Sequence, residues 1–327
     1  MPEITIGIDI GGTSTKFGIV DAEANVIYQN SVDTQLPDVN DYLRGLVAAI
    51  NVGLNELDVD YNLLGIGIGA PNANYFRGTI EEAPNLPWKG VVPIAKLLQS
   101  EFHVPVAVTN DANAAAIGEM VYGGAQEMKD FIVITLGTGL GSGLVANGEM
   151  ILGNDGFAGE IGHVAVKING GRKCKCGLRG CLETYVSATG LKRTVYKLLA
   201  DHHVDSELRK YSFEDLDTKI VGIAAENGDS LAQEAFDYTG KVLGAKLADS
   251  VKHTDPEAIF IMGGLAQAGE LIFAPTRKHL EKNLMEIYKG KVKILPSELD
   301  NQTAPIVGAS SLIIDRLNKD ASKGELV

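Results

Sequence analysis

The sequence predicts an α/β protein built from two related halves. Apolar, strand-like runs end in glycine-rich turns, and segments with helical periodicity alternate with these runs. The stretch Ile8-Asp9-Ile10-Gly11-Gly12-Thr13 is matched later in the chain by Ile134-Thr135-Leu136-Gly137-Thr138-Gly139, and each is followed by a Gly-aliphatic-Val strand and a polar turn. These parallels indicate a diverged structural duplication.

Composition and charge exclude several classes of protein. The chain has 327 residues, 45% of them hydrophobic and 22% charged, which is enough for a buried core in each of two domains. A net charge of -13 argues against nucleic acid as a partner, because phosphate backbones are bound by basic surfaces. The start Met1-Pro2-Glu3-Ile4 has no basic region of a signal peptide, and no apolar run reaches the roughly 20 residues that span a bilayer. We therefore expect a cytoplasmic protein with no membrane partner.

Up to residue 121, strands and helices alternate in a mixture of β-meander and βαβ order. The predicted strands are Ile4–Ile10, Lys16–Val20, Asn25–Gln29, Leu64–Gly69 and Val104–Thr109, and the predicted helices are Asp41–Leu57, Ile94–Phe102 and Ala112–Val121. The pattern restarts at Asp130. We therefore predict a small α/β lobe over residues 1–117 and a large α/β lobe over residues 118–304 that carries the cysteine segment.

The second part of the chain is richer in helices. Its predicted strands are Phe131–Leu136, Ser142–Ala146, Glu149–Leu152 and Ala258–Met262, and its predicted helices are Ala188–His202, Phe213–Asn227, Ser230–His253 and Pro305–Leu317. Ser230 is the expected N-cap of the third of these helices. The last helix has an apolar face that must be buried, so we expect residues 305–320 to pack back on the first lobe.

The two glycine turns are candidate phosphate sites. Backbone N–H groups can cradle phosphate oxygens where no side chain blocks the approach, and glycine at the end of a strand gives this access. Neither turn has the spacing of a P-loop or of a dinucleotide-binding fold, because the chain after Gly139 continues into a strand instead of a helix. The alternative is a pair of ordinary tight hairpins. A third glycine pair, Gly263-Gly264, ends a buried strand and could admit a nucleoside.

All three cysteines lie in one short segment. Cys174, Cys176 and Cys181 follow His163 by 11 to 18 residues, which provides four ligands for a tetrahedral zinc ion. Four protein ligands leave no open coordination position, so the metal is expected to be structural. The alternative is a group of reduced cysteines without a metal. A zinc ion on one nitrogen of His163 would make the other nitrogen a hydrogen-bond donor toward a hydroxyl group.

Three further polar residues are candidates for chemistry. Asp111 follows the strand that ends at Thr109 and precedes a helix, so it is either a general base or a plain helix N-cap. Asp9 could hold Mg²⁺ or brace its turn. Lys16 either neutralises phosphate or is a solvated residue at the end of a strand.

These residues give the chain a recognisable family pattern. It resembles the ROK group of bacterial sugar kinases and repressors from Ile6 to about Ser311, most strongly in Gly159-Glu160-Ile161-Gly162-His163 and in the segment from Cys174 to Glu183. The resemblance implies an actin/hexokinase-like ATPase fold, with two lobes of duplicated β-sheet plus helices and a ligand cleft between them. One position departs from the family pattern, because Asn72 stands where many relatives have glycine.

The resemblance also implies the roles of individual residues. Asp111 would take the proton from the sugar 6-hydroxyl as that oxygen attacks the γ-phosphorus of ATP. The sugar would be held by Asn85, Asn110, Asp111, Glu160, His163 and Glu183. ATP with Mg²⁺ would bind at Asp9, Gly11, Gly12, Thr13, Lys16, Thr135, Gly137, Thr138, Gly139, Gly263 and Gly264, and Zn²⁺ at His163, Cys174, Cys176 and Cys181.

We therefore predict a hexose kinase, with glucose as its substrate and a homodimer or homotetramer as its assembly. The alternatives are a kinase for N-acetylglucosamine, N-acetylmannosamine, mannose or fructose, and a sugar-sensing regulator that does not catalyse. The repressors of the group carry an N-terminal winged-helix domain, whereas the first strand here starts at Ile4, so we expect an enzyme. Polyphosphate is an alternative donor, because it could use the same glycine turns.

Overall fold

The computed structural model describes residues 1–323 and contains both strands and helices. The strands are β1 (Glu3–Ile10), β2 (Ser14–Asp21), β3 (Val26–Asp33), β4 (Asn62–Gly69), β5 (Ala73–Asn74), β6 (Thr79–Glu81), β7 (Val91–Val92), β8 (Val106–Thr109), β9 (Phe131–Leu136), β10 (Leu140–Ala146), β11 (Glu149–Met150), β12 (Ala258–Met262) and β13 (Lys293–Pro296). The α-helices are α1 (Val39–Asn55), α2 (Ile94–Phe102), α3 (Asp111–Val121), α4 (Ala188–Asp201), α5 (Thr218–Glu226), α6 (Ser230–Thr254), α7 (Glu270–Asn283) and α8 (Ala304–Lys323). No helix in this described range has both the length and the apolar composition needed to cross a membrane.

Most predicted elements are found within a few residues of their predicted bounds, but one predicted helix start and one predicted N-cap are wrong. Helix α5 begins at Thr218 instead of Phe213, because the Asp217 carboxylate caps it by accepting from the Ile220 N–H at 2.7 Å. Helix α6 is capped by Asp229 and not by Ser230, since the Asp229 carboxylate accepts from two N–H groups of the first turn. Helix α7 and strands β5, β6, β7 and β13 were not predicted.

The chain forms two compact units, each made of separate segments of sequence. Unit 1 comprises Met1–Met128, Glu149–Ala158 and the described residues from Ser297 onward, and unit 2 comprises Lys129–Gly148 and Gly159–Pro296. The predicted lobes are residues 1–117, with residues 305–320 packed back on them, and residues 118–304, and this division stays a prediction.

Unit 1 contains a sheet with the strand order β3-β2-β1-β4-β8. Its first three strands are antiparallel neighbours, and β1, β4 and β8 run parallel. Helix α8 packs closely on this sheet. A Cβ atom at Gly7 would lie 1.9 Å from the Ile306 carbonyl oxygen, and one at Gly67 would lie 1.7 Å from that of Ala309. Only glycine at these two positions allows the helix backbone to approach the strands so closely.

Unit 2 repeats this strand arrangement. Strands β10 and β9 are antiparallel, and β9, β12 and β13 run parallel, so the order β10-β9-β12-β13 corresponds to β2-β1-β4-β8. The alternate isoleucines of β9 and β12 are fully or almost fully buried and form one apolar cluster with residues of α4, α5, α6 and α7. The duplication that the glycine turns indicated is therefore present in the sheets as well.

Candidate functional site

The candidate residues of unit 1 lie at one edge of its sheet. Asp9, Gly69 and Thr109 are neighbours in register on the parallel strands β1, β4 and β8, and each is at or next to the carboxyl end of its strand. Asp111 follows two residues after Thr109 as the first residue of α3, and Lys16 is the cross-strand partner of Asp9 on β2. Open α/β sheets bind ligands at such edges because the strands end there and the helices begin.

Two carboxylates at this edge have altered acidity. Burial, together with the negative charge of Asp111, raises the pKa of Asp9 from its ordinary 3.8 to about 6, and Lys16 opposes this change. The protein packed around Asp111 desolvates its carboxylate and raises its pKa, although the side chain is accessible to solvent. Two carboxylates that repel each other are suitable oxygen ligands for a hard divalent cation such as Mg²⁺, because the charge of the cation would offset the repulsion.

The N-cap of helix α3 is Asn110 and not Asp111. The Asn110 side chain accepts a hydrogen bond from the Asn113 N–H at 2.6 Å, whereas Asp111 has already entered the helix. The Asp111 carboxylate accepts a local hydrogen bond from the N–H of Ala112 at 2.9 Å. The interpretation of Asp111 as the plain N-cap of α3 is therefore wrong.

The first glycine turn presents free backbone donors. The Gly11 N–H is used within the turn, where it donates to the Ser14 carbonyl at 3.1 Å. Among residues 1–323, no protein acceptor is found for the N–H groups of Gly12 and Thr13. A Cβ atom at Gly12 would lie 3.0 Å from the Asn85 carbonyl oxygen, so the loop that carries the exposed Asn85 covers this turn directly.

The second glycine turn, in unit 2, has the same construction. The Gly137 N–H donates to the Gly139 carbonyl at 3.1 Å, and the Gly141 N–H donates to Thr135 Oγ1 at 3.2 Å. Within the described part of the chain, the N–H groups of Thr138 and Gly139 have no protein acceptor. Each turn therefore offers two adjacent N–H groups that suit a phosphate oxygen.

Gly263 and Gly264 follow β12, which lies beside β9 with Met262 paired to Thr135. Gly263 has a φ of +96°, and a Cβ atom there would lie 2.6 Å from the Leu136 carbonyl oxygen, so packing alone explains this glycine. Gly264 is exposed, and a Cβ atom there would meet nothing within 4 Å. Because Gly264 has no side chain, open space is left at the end of β12, the strand that lies beside β9.

The four predicted metal ligands lie together in unit 2. One ligand atom from each of His163, Cys174, Cys176 and Cys181 can be chosen so that all lie within 4.8 Å of one another. Cys176 Sγ is 3.7 Å from Cys181 Sγ, and His163 Nδ1 is 3.7 Å from Cys174 Sγ. Sulfur atoms about 2.3 Å from a tetrahedral zinc ion would be separated by about 3.8 Å, so the spacing fits this metal.

Acidic residues lie on both sides of this cluster. His163 Nε2 faces Glu160, with a separation of 3.7 Å from Oε2, while Nδ1 faces the cysteines. Cys174 Sγ is 3.1 Å from Glu183 Oε1, and the Leu140 N–H is 3.4 Å from Glu183 Oε2. Glu183 thus connects the metal cluster with the second glycine turn, and His163 has one nitrogen for a metal and the other for a polar ligand.

Two positioning residues of this region were not predicted. Ser142 is 3% exposed, and its hydroxyl bonds the Gly159 carbonyl and accepts from the Ile161 N–H, so it fixes the segment that carries Glu160. Arg172 donates to the carbonyl groups of Thr184 and Gly190 and lies over the Tyr185 ring. The sequence contains no motif for either role, because both depend on contacts with residues 12 to 19 positions away.

The chain matches the ROK family over residues 5–316. It belongs to this family. The ROK protein is 33% identical over 317 residues to a glucokinase of Halalkalibacterium halodurans, and the match covers 96% of each chain. It is 28% identical to the xylose repressor of Bacillus subtilis, with 95% of this chain and 77% of the repressor covered.

A solved structure shows the same fold. The ROK family glucokinase of Streptomyces griseus, in complex with glucose and AMPPNP, aligns with a TM-score of 0.78 at 34% identity over 94% of this ROK chain and 98% of that chain. The predicted family and the predicted actin/hexokinase-like α/β fold are thereby confirmed. The roles of individual residues in this ROK protein are proposals.

Proposed function

We propose that this ROK protein is an ATP-dependent hexose kinase that phosphorylates the 6-hydroxyl of glucose. The placement of Asp111 carries the proposal, because its carboxylate is accessible, accepts a local hydrogen bond from the Ala112 N–H and is not the N-cap of α3. Desolvation by the surrounding protein raises its pKa, which makes it a stronger base while it remains ionised. The relatives named glucokinase, at about one-third identity, support the choice of reaction.

In this proposal each unit contributes separate groups. In unit 1, Asp111 accepts the 6-hydroxyl proton, Asn85 and Asn110 bind sugar hydroxyls, and the N–H groups of Gly12 and Thr13 bind phosphate. In unit 2, Glu160, His163 and Glu183 bind further hydroxyls. The remaining proposed nucleotide contacts are Asp9, Gly11, Lys16, Thr135, Gly137, Thr138, Gly139, Gly263 and Gly264.

The reaction moves one proton and one phosphoryl group. The proton of the sugar hydroxyl passes to the Asp111 carboxylate as the sugar oxygen bonds to the γ-phosphorus, and the bond from this phosphorus to the ADP oxygen breaks. Mg²⁺ held beside Asp9 would neutralise charge on the phosphates. Zinc at His163 and the three cysteines would hold the Glu160–Glu183 region in one conformation.

A substrate panel tests the choice of sugar. ADP release is measured with glucose, N-acetylglucosamine, N-acetylmannosamine, mannose and fructose, with ATP and polyphosphate as donors, and kcat/KM is compared. We expect glucose with ATP to give the highest value. A higher kcat/KM for an N-acetylated sugar would contradict the proposal for glucose, and a preference for polyphosphate would contradict the proposed donor.

Asp111→Asn tests the catalytic role. We expect kcat to fall by about 10² to 10⁴, as is typical for loss of a general base, with little change in ADP affinity. Asp58→Asn is the control, because it removes the same charge from an exposed position in unit 1. Near-normal turnover in Asp111→Asn would show that this carboxylate is not the base.

A sugar-sensing regulator is the second candidate, because the xylose repressor of Bacillus subtilis matches 95% of the chain. A regulator would bind sugar without releasing ADP in the same panel. The cytoplasmic location and the homodimeric or homotetrameric assembly stay predictions, and sedimentation of the purified protein tests the latter.

A further inference from the structure

Tyr42 connects two parts of unit 1 that the proposed function uses. This residue of α1 is 1% exposed, and its hydroxyl lies 2.8 Å from Thr15 Oγ1. Thr15 Oγ1 in turn lies 2.9 Å from Thr34 Oγ1, and both threonines are fully buried. Thr15 is the second residue of β2 and follows the first glycine turn directly. The Tyr42 hydroxyl is therefore bonded to the end of the proposed phosphate-binding segment.

The ring of Tyr42 packs against Trp88, the only tryptophan of the chain. The ring centroids are 4.4 Å apart with an interplanar angle of 44°, and Trp88 Nε1 donates to the Leu36 carbonyl at 2.9 Å. Trp88 is itself only 6% exposed and lies three residues after Asn85. The Tyr42 ring thus supports the loop that carries a proposed sugar ligand.

The glycine turn and the Asn85 loop are also in direct contact. A Cβ atom at Gly12 would lie 3.0 Å from the Asn85 carbonyl oxygen and 3.3 Å from Asn85 Cβ. The Thr34 N–H donates to the Thr13 carbonyl at 3.1 Å, and the Gln35 side chain donates to the Gly12 carbonyl. With so little free space, a shift of the turn when phosphate binds must displace the Asn85 loop or be opposed by it.

We propose that Tyr42 is a positioning residue that couples nucleotide binding at the first glycine turn to the placement of the Asn85 loop. This inference rests on the proposed kinase function and assigns Tyr42 no contact with substrate. Its hydroxyl and its ring contact different segments, so the two contacts can be separated by substitution. Burial raises the pKa of Tyr42, which keeps the hydroxyl protonated and able to donate. A residue that only filled the core would affect stability without affecting the response to nucleotide.

The test uses Trp88 fluorescence in the full chain. MgADP is titrated into the wild-type protein and into Tyr42→Phe, which keeps the ring beside Trp88 but removes the bond to Thr15. We expect MgADP to change the emission of the wild type, and to bind Tyr42→Phe while the emission change is largely lost. We also expect glucose to alter MgADP affinity in the wild type by about fivefold or more, and to lose this effect in the variant.

Two further variants make the outcome decisive. Tyr196→Phe is the matched control, because it removes another tyrosine hydroxyl bond, to the Tyr211 carbonyl at 2.6 Å in unit 2, and should respond like the wild type. Thr15→Val removes the same contact from the other side and replaces Tyr42→Phe if that variant does not fold. Suppose that the wild type phosphorylates sugar, and that the variants keep both the emission change with MgADP and the effect of glucose on MgADP affinity. This result would overturn the inference about Tyr42 but not the proposed function. A wild type that does not bind MgADP would instead contradict the proposed function and this inference together.

Discussion

At the residue scale, backbone conformation explains a departure from the family pattern. Asn72 has a φ of +51°, in the left-handed region that favours glycine, which agrees with the glycine expected from the family resemblance. Asparagine is among the side chains that tolerate this conformation. Here its Nδ2 also donates to the carbonyl groups of Glu81 at 3.1 Å and Glu82 at 3.3 Å. The substitution therefore preserves the turn and adds two local hydrogen bonds.

Asp9 should make stability depend on pH. The folded protein raises the pKa of Asp9 from 3.8 to about 6, so it binds this proton more tightly than the unfolded chain does. The stabilisation from the neutral carboxyl is complete below about pH 4 and is lost as the pH rises through about 6. Asp9→Asn should therefore raise the free energy of unfolding at pH 7.5 by about 1 to 3 kcal/mol, and much less at pH 4.0.

Urea unfolding without added nucleotide or Mg²⁺ measures this difference. Asp58→Asn removes an equal charge from an exposed position and controls for net charge. If Asp9→Asn were no more stable than the wild type at pH 7.5, the loss of folding stability that we assign to the buried Asp9 carboxylate would be wrong.

At the element scale, the metal segment has few regular elements and is held by other contacts. Isolated bridges pair Ala165 with Cys181 and Lys173 with Arg179, and Arg172 ties the segment to the start of α4 through the Gly190 carbonyl. Burial raises the pKa of the Cys174 and Cys181 thiols, so their ionised forms require a nearby cation. A bound metal would satisfy this requirement and link both ends of the segment.

Metal analysis should find about one zinc ion per chain. Cys174→Ser should lower the zinc content and the melting temperature, and should weaken glucose binding because Glu183 and His163 lose their fixed positions. His253→Asn is the control, since this exposed histidine lies outside the cluster. Purified wild type with no bound metal, when prepared without chelator, would contradict the zinc proposal.

At the scale of the whole molecule, segments far apart in the sequence fold into one unit. Unit 1 combines the N-terminal strands with α8, and the close approach of α8 depends on Gly7 and Gly67. A separate core forms in unit 2 around β9 and β12. Unit 1 is therefore incomplete without the last part of the sequence.

Gly67→Ala tests this dependence. The new Cβ atom would lie 1.7 Å from the Ala309 carbonyl oxygen, so α8 must shift, and we expect a loss of about 1 to 3 kcal/mol or more in the free energy of unfolding. Gly45→Ala is the matched control, because a Cβ atom there meets nothing within 4 Å and Gly45 is an exposed residue inside α1. It should stabilise the protein by about 0.5 to 1 kcal/mol. Equal urea midpoints for the two variants would contradict the packing argument.

Local features of the site were predictable because their causes are local in sequence. Residue type and spacing are enough to predict the glycine turns after strands and the closely spaced cysteines. The same holds for Asp9 and Asp111 at the ends of strands. Ser142 and Tyr42 could not be found in this way, since the partners in these hydrogen bonds lie 17 and 27 residues away. Helix caps were partly ambiguous, because neighbouring polar residues such as Asn110 and Asp111 are both capable of capping.

The sequence by itself determined the family, the α/β class, the duplicated strand-turn-strand pattern and the grouping of His163 with the three cysteines, because each depends on residue types at short spacing. Only the tertiary structure decided that Asn110 caps α3 in place of Asp111, that Gly7 and Gly67 admit α8, and that Tyr42 joins the first glycine turn to the Asn85 loop. These features depend on which distant segments come into contact, and a hydrogen-bond partner or a packing distance is fixed only when the chain has folded.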